Sequence, residues 1–389
     1  MGVKVRERPG KGWYVLTDWK GQRKAKCFGK NKALAKEFAS KLEAKLRLGS
    51  AGITCKAGVK FEDYAATWLE RIRHTRKFST WFGYDRMLTR ELLPAFRGCD
   101  LDEITREKIK ALACMKLKTG QMPKTVQNTI RGLSSLLSHA VEDSLLTINP
   151  ALKPGKFLPP VSKRRGINPL TRTEVETFLT AVQRHAPRYY PVFLCAVRTG
   201  LRMGELIALQ WGDLDFSGRF LEIQRNCSLG RLTTPKSGES RRVDMSLHLM
   251  QVLKDLQTER QLEAAANSWK EIPPWVFCTE SGTRLDADNL RKRMFYRLLT
   301  VAGLRKVRFH DLRHTFASLL LQQGESPVYV KEQMGHSSIQ VTVDLYGHLI
   351  PGGNKQAVDR LDQAVDKLHA EGESATQTQP LWMPTPVTT

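Results

Sequence analysis

Apolar residues recur at helical spacing along most of this chain. In two places the spacing changes to the short apolar runs of strands. Residues 13–16 (Trp-Tyr-Val-Leu) and 24–28 read as short strands, separated by the polar stretch from Asp18 to Gly21. Leu34, Phe38, Leu42 and Leu46, four apart, predict one face of a helix. A glycine-containing stretch follows over 49–58. Phe61, Tyr64, Ala65, Trp68, Leu69 and Ile72 then form a stripe with a period near 3.6. Residues 81–93 and 105–117 are also helical in pattern. So are residues 125–146, with Val126, Ile130, Leu133, Leu137, Val141 and Leu145 directed inward. Residues 60–150 are therefore expected to form an all-helical bundle of four or five helices.

Five prolines between Pro150 and Pro169, with the run Lys163-Arg164-Arg165, break the pattern and predict a stiff basic linker over 151–169. A further unit opens with Thr171 or Thr173 as a helix cap and runs helically to Leu201. Residues 219–225 and 241–245 read as strands joined by a Gly/Thr/Pro/Ser stretch containing Lys236. Helices resume at about 247–266, 288–302 and from His310 onward. Residues 351–389 are expected to hold one amphipathic helix (Ala357, Leu361, Val365, Leu368) and a mobile polar tail. The fold class is thus mainly α with small β-sheets (α+β), in several domains: 1–56, 60–150, 170–350 and the tail.

Charge narrows the partner. Lys plus Arg number 62 against 39 Asp plus Glu, a formal charge of +23. Residues 1–60 contribute an excess of 12, about half of the whole. Nucleic acid is the commonest partner of such a surface, although an anionic membrane would also answer to charge alone. The small basic sheet-plus-helix could be a reader of a DNA groove or an ordinary solvated basic face. Arg71, Arg73, His74, Arg76 and Lys77 have the composition of a phosphate-contacting cluster, or equally of an ordinary solvated helix end. The seven cysteines are scattered and none forms a C-x-x-C pair, which speaks against a disulfide framework or a zinc site. The sequence shows neither a signal-peptide core at residues 1–8 nor an apolar run of membrane-spanning length. A cytoplasmic, nucleoid-associated protein without a metal or other cofactor is expected.

The candidate chemistry is concentrated late in the chain. His310 and Arg313 are three apart and share a helix face. His336 and Tyr346 follow closely. Two histidines, an arginine and a tyrosine suit an anionic substrate and a tyrosine nucleophile better than they suit a core. Five stretches line up with them: Thr199-Gly200-Leu201-Arg202-Met203-Gly204-Glu205, Thr234-Pro235-Lys236, His310-Asp311-Leu312-Arg313, Gly335-His336 and Leu345-Tyr346. Their order and spacing resemble the tyrosine recombinase (phage-type integrase) family: T-G-x-R-x-x-E, a hairpin lysine, H-x-x-R, G-H and a tyrosine about ten residues on. The basic N-terminal unit resembles the arm-type DNA-binding domain of larger integrases, and residues 60–150 their core-binding domain.

The resemblance implies site-specific DNA recombination through a 3′-phosphotyrosine intermediate and a Holliday junction, without metal or ATP. The implied site is Arg202, Lys236, His310, Arg313, His336 and the nucleophile Tyr346. Guanidiniums stay protonated and fork onto non-bridging oxygens, which suits Arg202 and Arg313 to the developing charge. His336 adds a hydrogen bond, His310 is the candidate to receive the phenol proton, its acid/base role being left open by the family, and Lys236 is the candidate to protonate the departing 5′ oxygen. Glu205 is expected to be structural, orienting Arg202 or the following helix. His314 and His348 are expected at the surface or behind the site, and Tyr329 in a core-like position. The implied partners are duplex DNA at core and arm-type sites, three further protomers in a tetramer, a host DNA-bending protein and a directionality factor. The alternatives are a recombinase for inversion or dimer resolution, a relaxing enzyme of the type IB topoisomerase kind, or a DNA-binding protein with a vestigial site.

Overall fold

The computed structural model describes residues 2–8, 12–19, 22–29, 31–50, 58–152, 167–236 and 238–349. Most of the predicted linker and all of the C-terminal helix and tail lie outside them. Contacts divide the chain into two compact units, residues 1–163 and 164–389.

The first unit begins with an antiparallel meander of β1 (Gly2–Arg8), β2 (Gly12–Trp19) and β3 (Gln22–Cys27), followed by helix α1 (Lys32–Ser50). Val5 lies opposite Val15, and Val15 opposite Lys26. Strand β1 was not among the expected strands. Its Val3-Lys4-Val5-Arg6 alternation has the period of a half-buried strand. The helix face also differs from the expected one. Ala35 and Ala39 are buried against Val15, whereas Leu34 is 51% exposed. Positions four apart advance 400° on a helix, so a run of such steps drifts by 40° each time and cannot keep one face.

The bundle is built from α2 (Phe61–Thr75), α3 (Phe78–Met87), the short α4 (Leu93–Phe96), α5 (Arg106–Lys118) and α6 (Pro123–Glu142). Between α3 and α4 the chain widens into a π turn, Leu88–Leu92. Pro94 has no N–H to offer the regular ladder there. Trp68, Phe61, Ile130, Leu133 and Leu136 fill the core with almost no exposure. In the basic cluster, Arg71 is turned to Asp143 at 2.6 Å, while Arg73 and His74 reach Glu70 at 3.6 and 3.1 Å. Three of the five residues expected to contact phosphate thus already face carboxylates.

The second unit opens with α7 (Arg172–His185), capped by Thr171, whose Oγ1 accepts from Glu174 N at 3.1 Å. Helices α8 (Tyr190–Thr199) and α9 (Met203–Leu206) lead into a sheet of β4 (Leu214–Asp215), β5 (Phe220–Ile223) and β8 (Arg241–Asp244). A separate hairpin, β6 (Asn226–Ser228) with β7 (Arg231–Thr233), is inserted between β5 and β8. Its turn is Leu229-Gly230, both with positive φ, as a two-residue hairpin of right-handed twist requires. Then come α10 (Leu247–Ala266), α11 (Ala287–Asn289), α12 (Tyr296–Val301), α13 (Phe309–Gln322), α14 (Pro327–Met334) and α15 (Ile339–Tyr346).

Phe178, Phe193, Phe295 and Phe309 pack edge-on and tilted at 5.3–6.0 Å in the middle of this unit. Helix α13 runs through it almost wholly buried. From Phe309 through Ser318, only His310 is exposed. Burial on every side is what carries the polar Arg313 and His314 into the interior. No helix among the described residues is long and apolar enough to cross a membrane.

Candidate active site

Two helices end where the site begins. Gly200 closes α8 in the left-handed conformation at φ +61°, and Gly335 closes α14 at φ +58°. A Cβ on Gly200 would stand 2.5 Å from the Phe316 ring, and one on Gly335 2.8 Å from Arg241 Cδ. Glycine is therefore required twice over, by conformation and by space. A helix C-terminus leaves carbonyls without an intrahelical partner. Here the arginines take them. Arg313 Nη1 donates to Gly200 O at 2.7 Å and Nη2 to Met334 O, and Arg202 Nη2 donates to Gly335 O at 3.3 Å.

Beyond Gly200 the chain extends for two residues before α9. Glu205 accepts from the Arg202 backbone N at 3.0 Å and from its Nη1 at 2.8 Å. Its role in orienting Arg202 is as expected. Glu205 also takes a fork from Arg241, Nη1 to Oε1 at 3.1 Å and Nη2 to Oε2 at 2.7 Å. Arg241 Nε donates in turn to Gln333 O at 3.1 Å. Burial alone would raise the Glu205 pKa, but Arg241 and then Arg202 hold it down at about 2. Arg241 escaped the sequence reading because it stands at a strand start outside the recognised motifs.

Arg313 is 3% exposed, and desolvation followed by Arg202 pushes it down to about 9, leaving it charged at neutral pH. His336 Nδ1 lies 2.9 Å from Thr342 Oγ1. Desolvation, then Arg313 and Arg202, push this imidazole down to about 3. His310 is exposed, with its ring set edge-on to His314 at 5.0 Å. Desolvation of the packed face, then His314, Arg313 and Arg202, bring it to about 4. All three cationic motifs thus act on one another, and both histidines are neutral at pH 7.

Tyr346 is fully buried among Phe316, Ala317, Leu321, Val330 and Met334. Burial pushes its pKa up to about 12. Its hydroxyl is 2.7 Å from His314 Nδ1. His314 is 8% exposed, which is the second of its two expected places, behind the site rather than at the surface, and it rather than His310 stands against the tyrosine. The reason is geometric: His314 follows His310 by one helical turn on the same face of α13, and the later residue is the one level with Tyr346. Tyr329 also differs from its expected core position. It is half-buried and donates to Asp244 Oδ2 at 2.8 Å.

The structure therefore brings Arg202, Arg313 and His336 into one cluster, with His310 at its edge and Tyr346 reached through His314. Lys236 is not part of that cluster. It is exposed, and it lies between β7 and β8, in the long connection that joins the antiparallel strands β5 and β8 as expected. Among the described residues no group of three His, Cys, Asp or Glu is arranged to hold a metal ion.

Two family models match this chain. The phage integrase family model covers residues 168–351, and that of the N-terminal SAM-like domain of phage integrases covers residues 60–117. The chain is a tyrosine recombinase of the phage integrase family. Similar curated proteins include the ICEBs1 integrase of Bacillus subtilis (strain 168). It is 29% identical over 350 residues, spanning 85% of this recombinase and 90% of the relative. The tyrosine recombinase XerC-like protein of Caldanaerobacter subterraneus subsp. tengcongensis is 29% identical over 368 residues, with 85% and 92% coverage. Among solved structures, a lambda integrase tetramer bound to a Holliday junction shares the fold at a TM-score of 0.59 and 18% identity. The match covers 90% of this chain and 96% of that one.

Proposed function

We propose that this recombinase integrates and excises a phage or other mobile element by cutting and rejoining DNA strands through Tyr346. The observation that carries the reading is the convergence of Arg202, Arg313 and His336 on the carbonyl ends of two helices, in the same unit as a tyrosine held by histidine. Two guanidiniums beside a neutral imidazole suit a phosphodiester, whose transition state spreads negative charge over the non-bridging oxygens. With Thr342 hydroxyl donating to Nδ1, His336 presents Nε2–H to such an oxygen. Cations line the clefts on either side: His310 opens beside Arg291 and Arg308, which pair with Asp288 and Asp311, and His336 beside Arg242 and Lys331, with Glu239, Asp244 and Glu332 in the same lining.

In the reaction the Tyr346 oxygen bonds to phosphorus and the bond to the 5′ oxygen breaks. The phenol proton passes to His314 Nδ1, and Lys236 supplies a proton to the leaving 5′ oxygen. His310, edge-on to His314, keeps that ring oriented. Because Tyr346 is sheathed, cleavage requires the end of α15 to deliver its hydroxyl to the cleft. The phosphotyrosine link conserves the energy of the phosphodiester, so rejoining needs no nucleotide, and the arginines supply the positive charge that a metal would otherwise bring. A 5′ hydroxyl from a second duplex then attacks the link, and two such exchanges pass through a Holliday junction. Lambda integrase, which shares the fold, has been captured as a tetramer on such a junction, and four protomers on two duplexes are the assembly proposed here. The basic N-terminal sheet supports a second, arm-type DNA contact, and bridging two sites calls for bent DNA, the role of a host bending protein and a directionality factor.

The test is a plasmid carrying both end sequences of the element that encodes the chain. Recombinant joints that depend on those ends support the reading. Relaxation of supercoils on any plasmid, with no joints formed, would make the chain a relaxing enzyme instead.

A further inference from the structure

The loop that carries Lys236 has two ends, and both are tied to the short helix α9, which presents Arg202. At the first end, Thr233 exchanges hydrogen bonds with Asn226, Nδ2 to Oγ1 at 3.3 Å and Oγ1 to Asn226 O at 3.2 Å. Asn226 and Cys227 press on Gly204 so closely that a Cβ there would lie 2.3 Å from Asn226 Oδ1 and from Cys227 O. At the second end stands Arg241, the first residue of β8 and five residues after Lys236. Its backbone is registered opposite Ile223. Its side chain, 11% exposed, forks onto Glu205, bonds Gln333 O and lies under Gly335.

We propose that Arg241 is a positioning residue, which fixes the end of the Lys236 loop to the Arg202–Glu205 turn and to the Gly335–His336 turn and so sets the reach of Lys236 to the scissile phosphate. A single side chain thus spans three of the catalytic stretches. Glu205 is the shared node: one oxygen pair orients Arg202, which faces the phosphate, and the same pair anchors Arg241. Only a guanidinium can serve both carboxylate oxygens and a carbonyl at once, through Nη1, Nη2 and Nε. Lysine would retain the charge but offer one point of attachment. The inference rests on the proposed role of Lys236 as the acid for the 5′ oxygen.

The experiment compares an ordinary suicide substrate with one whose 5′ bridging oxygen is replaced by sulfur. The bonds made and broken at phosphorus are otherwise the same. The electron pair of the breaking bond leaves on sulfur as a thiolate, which needs no proton. On the oxygen substrate, Arg241→Gln, Arg241→Lys and Lys236→Ala in the full-length chain are each expected to cleave about 10²-fold more slowly, the scale of a lost general acid. On the sulfur substrate all three should return to within a few-fold of the unaltered chain. Rescue of Lys236→Ala alone, with both Arg241 variants equally slow on both substrates, would make Arg241 a support of the Arg202 turn and overturn the proposal. Unaltered cleavage of the oxygen substrate by Arg241→Lys would overturn it as well. Failure of Lys236→Ala to be rescued would instead remove Lys236 as the acid, and the proposal with it. If Arg241→Gln does not fold, the lysine variant decides between these outcomes.

Discussion

His314 Nδ1 stands 2.7 Å from the Tyr346 hydroxyl, and both groups are buried. A phenol whose pKa is pushed up to about 12 has to give up its proton if it is to act as the proposed nucleophile, and this imidazole is the group in contact with it before the hydroxyl is delivered to the cleft. The histidine of the H-x-x-R stretch lies one turn away and meets the tyrosine only through His314. His314→Asn is therefore expected to lower single-turnover cleavage by about 10²–10⁴-fold, the usual contribution of a positioned base. His310→Asn should cost less. Rate constants for both variants from a suicide-substrate time course check this, and the reverse order would return the proton to His310.

Glu205 is a buried carboxylate between two arginines, with no side-chain exposure. Truncating it leaves Arg241 and Arg202 facing one another without a counter-charge. Glu205→Ala should cost about 3–5 kcal/mol, the range for removing one partner of a buried pair. The urea midpoint of the transition that includes residues 164–389 measures this. As a contrast, Glu70, 58% exposed beside Arg73 and His74, should change stability by about 1 kcal/mol or less when truncated.

The site histidines set a pH dependence of folding. His310 and His336 titrate near 4 and 3 in the folded chain, and His314 is also lowered, against an ordinary value of 6.5. Below pH 6.5 the unfolded chain binds protons that the folded chain refuses, so stability falls as pH drops from 6.5 toward 4. Glu205 adds to the loss further down, since its depressed carboxylate stabilises above 4.5 and ceases to as pH falls through 2. Thermal unfolding between pH 7.5 and 4.5 should show a falling midpoint. His336→Asn should flatten the slope. A midpoint independent of pH would contradict the neutral state of these rings in the folded chain.

The sequence carried most of the element pattern because helix and strand periods are local. Trp68, Ile130 and Leu133 are inward as their spacing implies. It carried the site where a motif needs residues at fixed offsets, as in Gly200 to Glu205, a helix stop followed by a carboxylate that caps its own turn. It failed where the decisive contact is tertiary. Arg241 meets Glu205 across 36 residues, and His314 meets Tyr346 across 32. Local pattern does not encode which side of a fully buried helix faces which neighbour. Leu34 shows the converse limit: a plausible apolar spacing that rotates off its own face.

Tyr346 is the proposed nucleophile. The direct measurement uses a duplex suicide substrate nicked close to the crossover, incubated with the full-length chain, followed by digestion and mass analysis of the covalent adduct. The expected result is a 3′-phosphonucleotide on the peptide containing Tyr346, absent in Tyr346→Phe although that variant still binds the DNA. No adduct with the unaltered chain, or an adduct that persists in Tyr346→Phe, would contradict it.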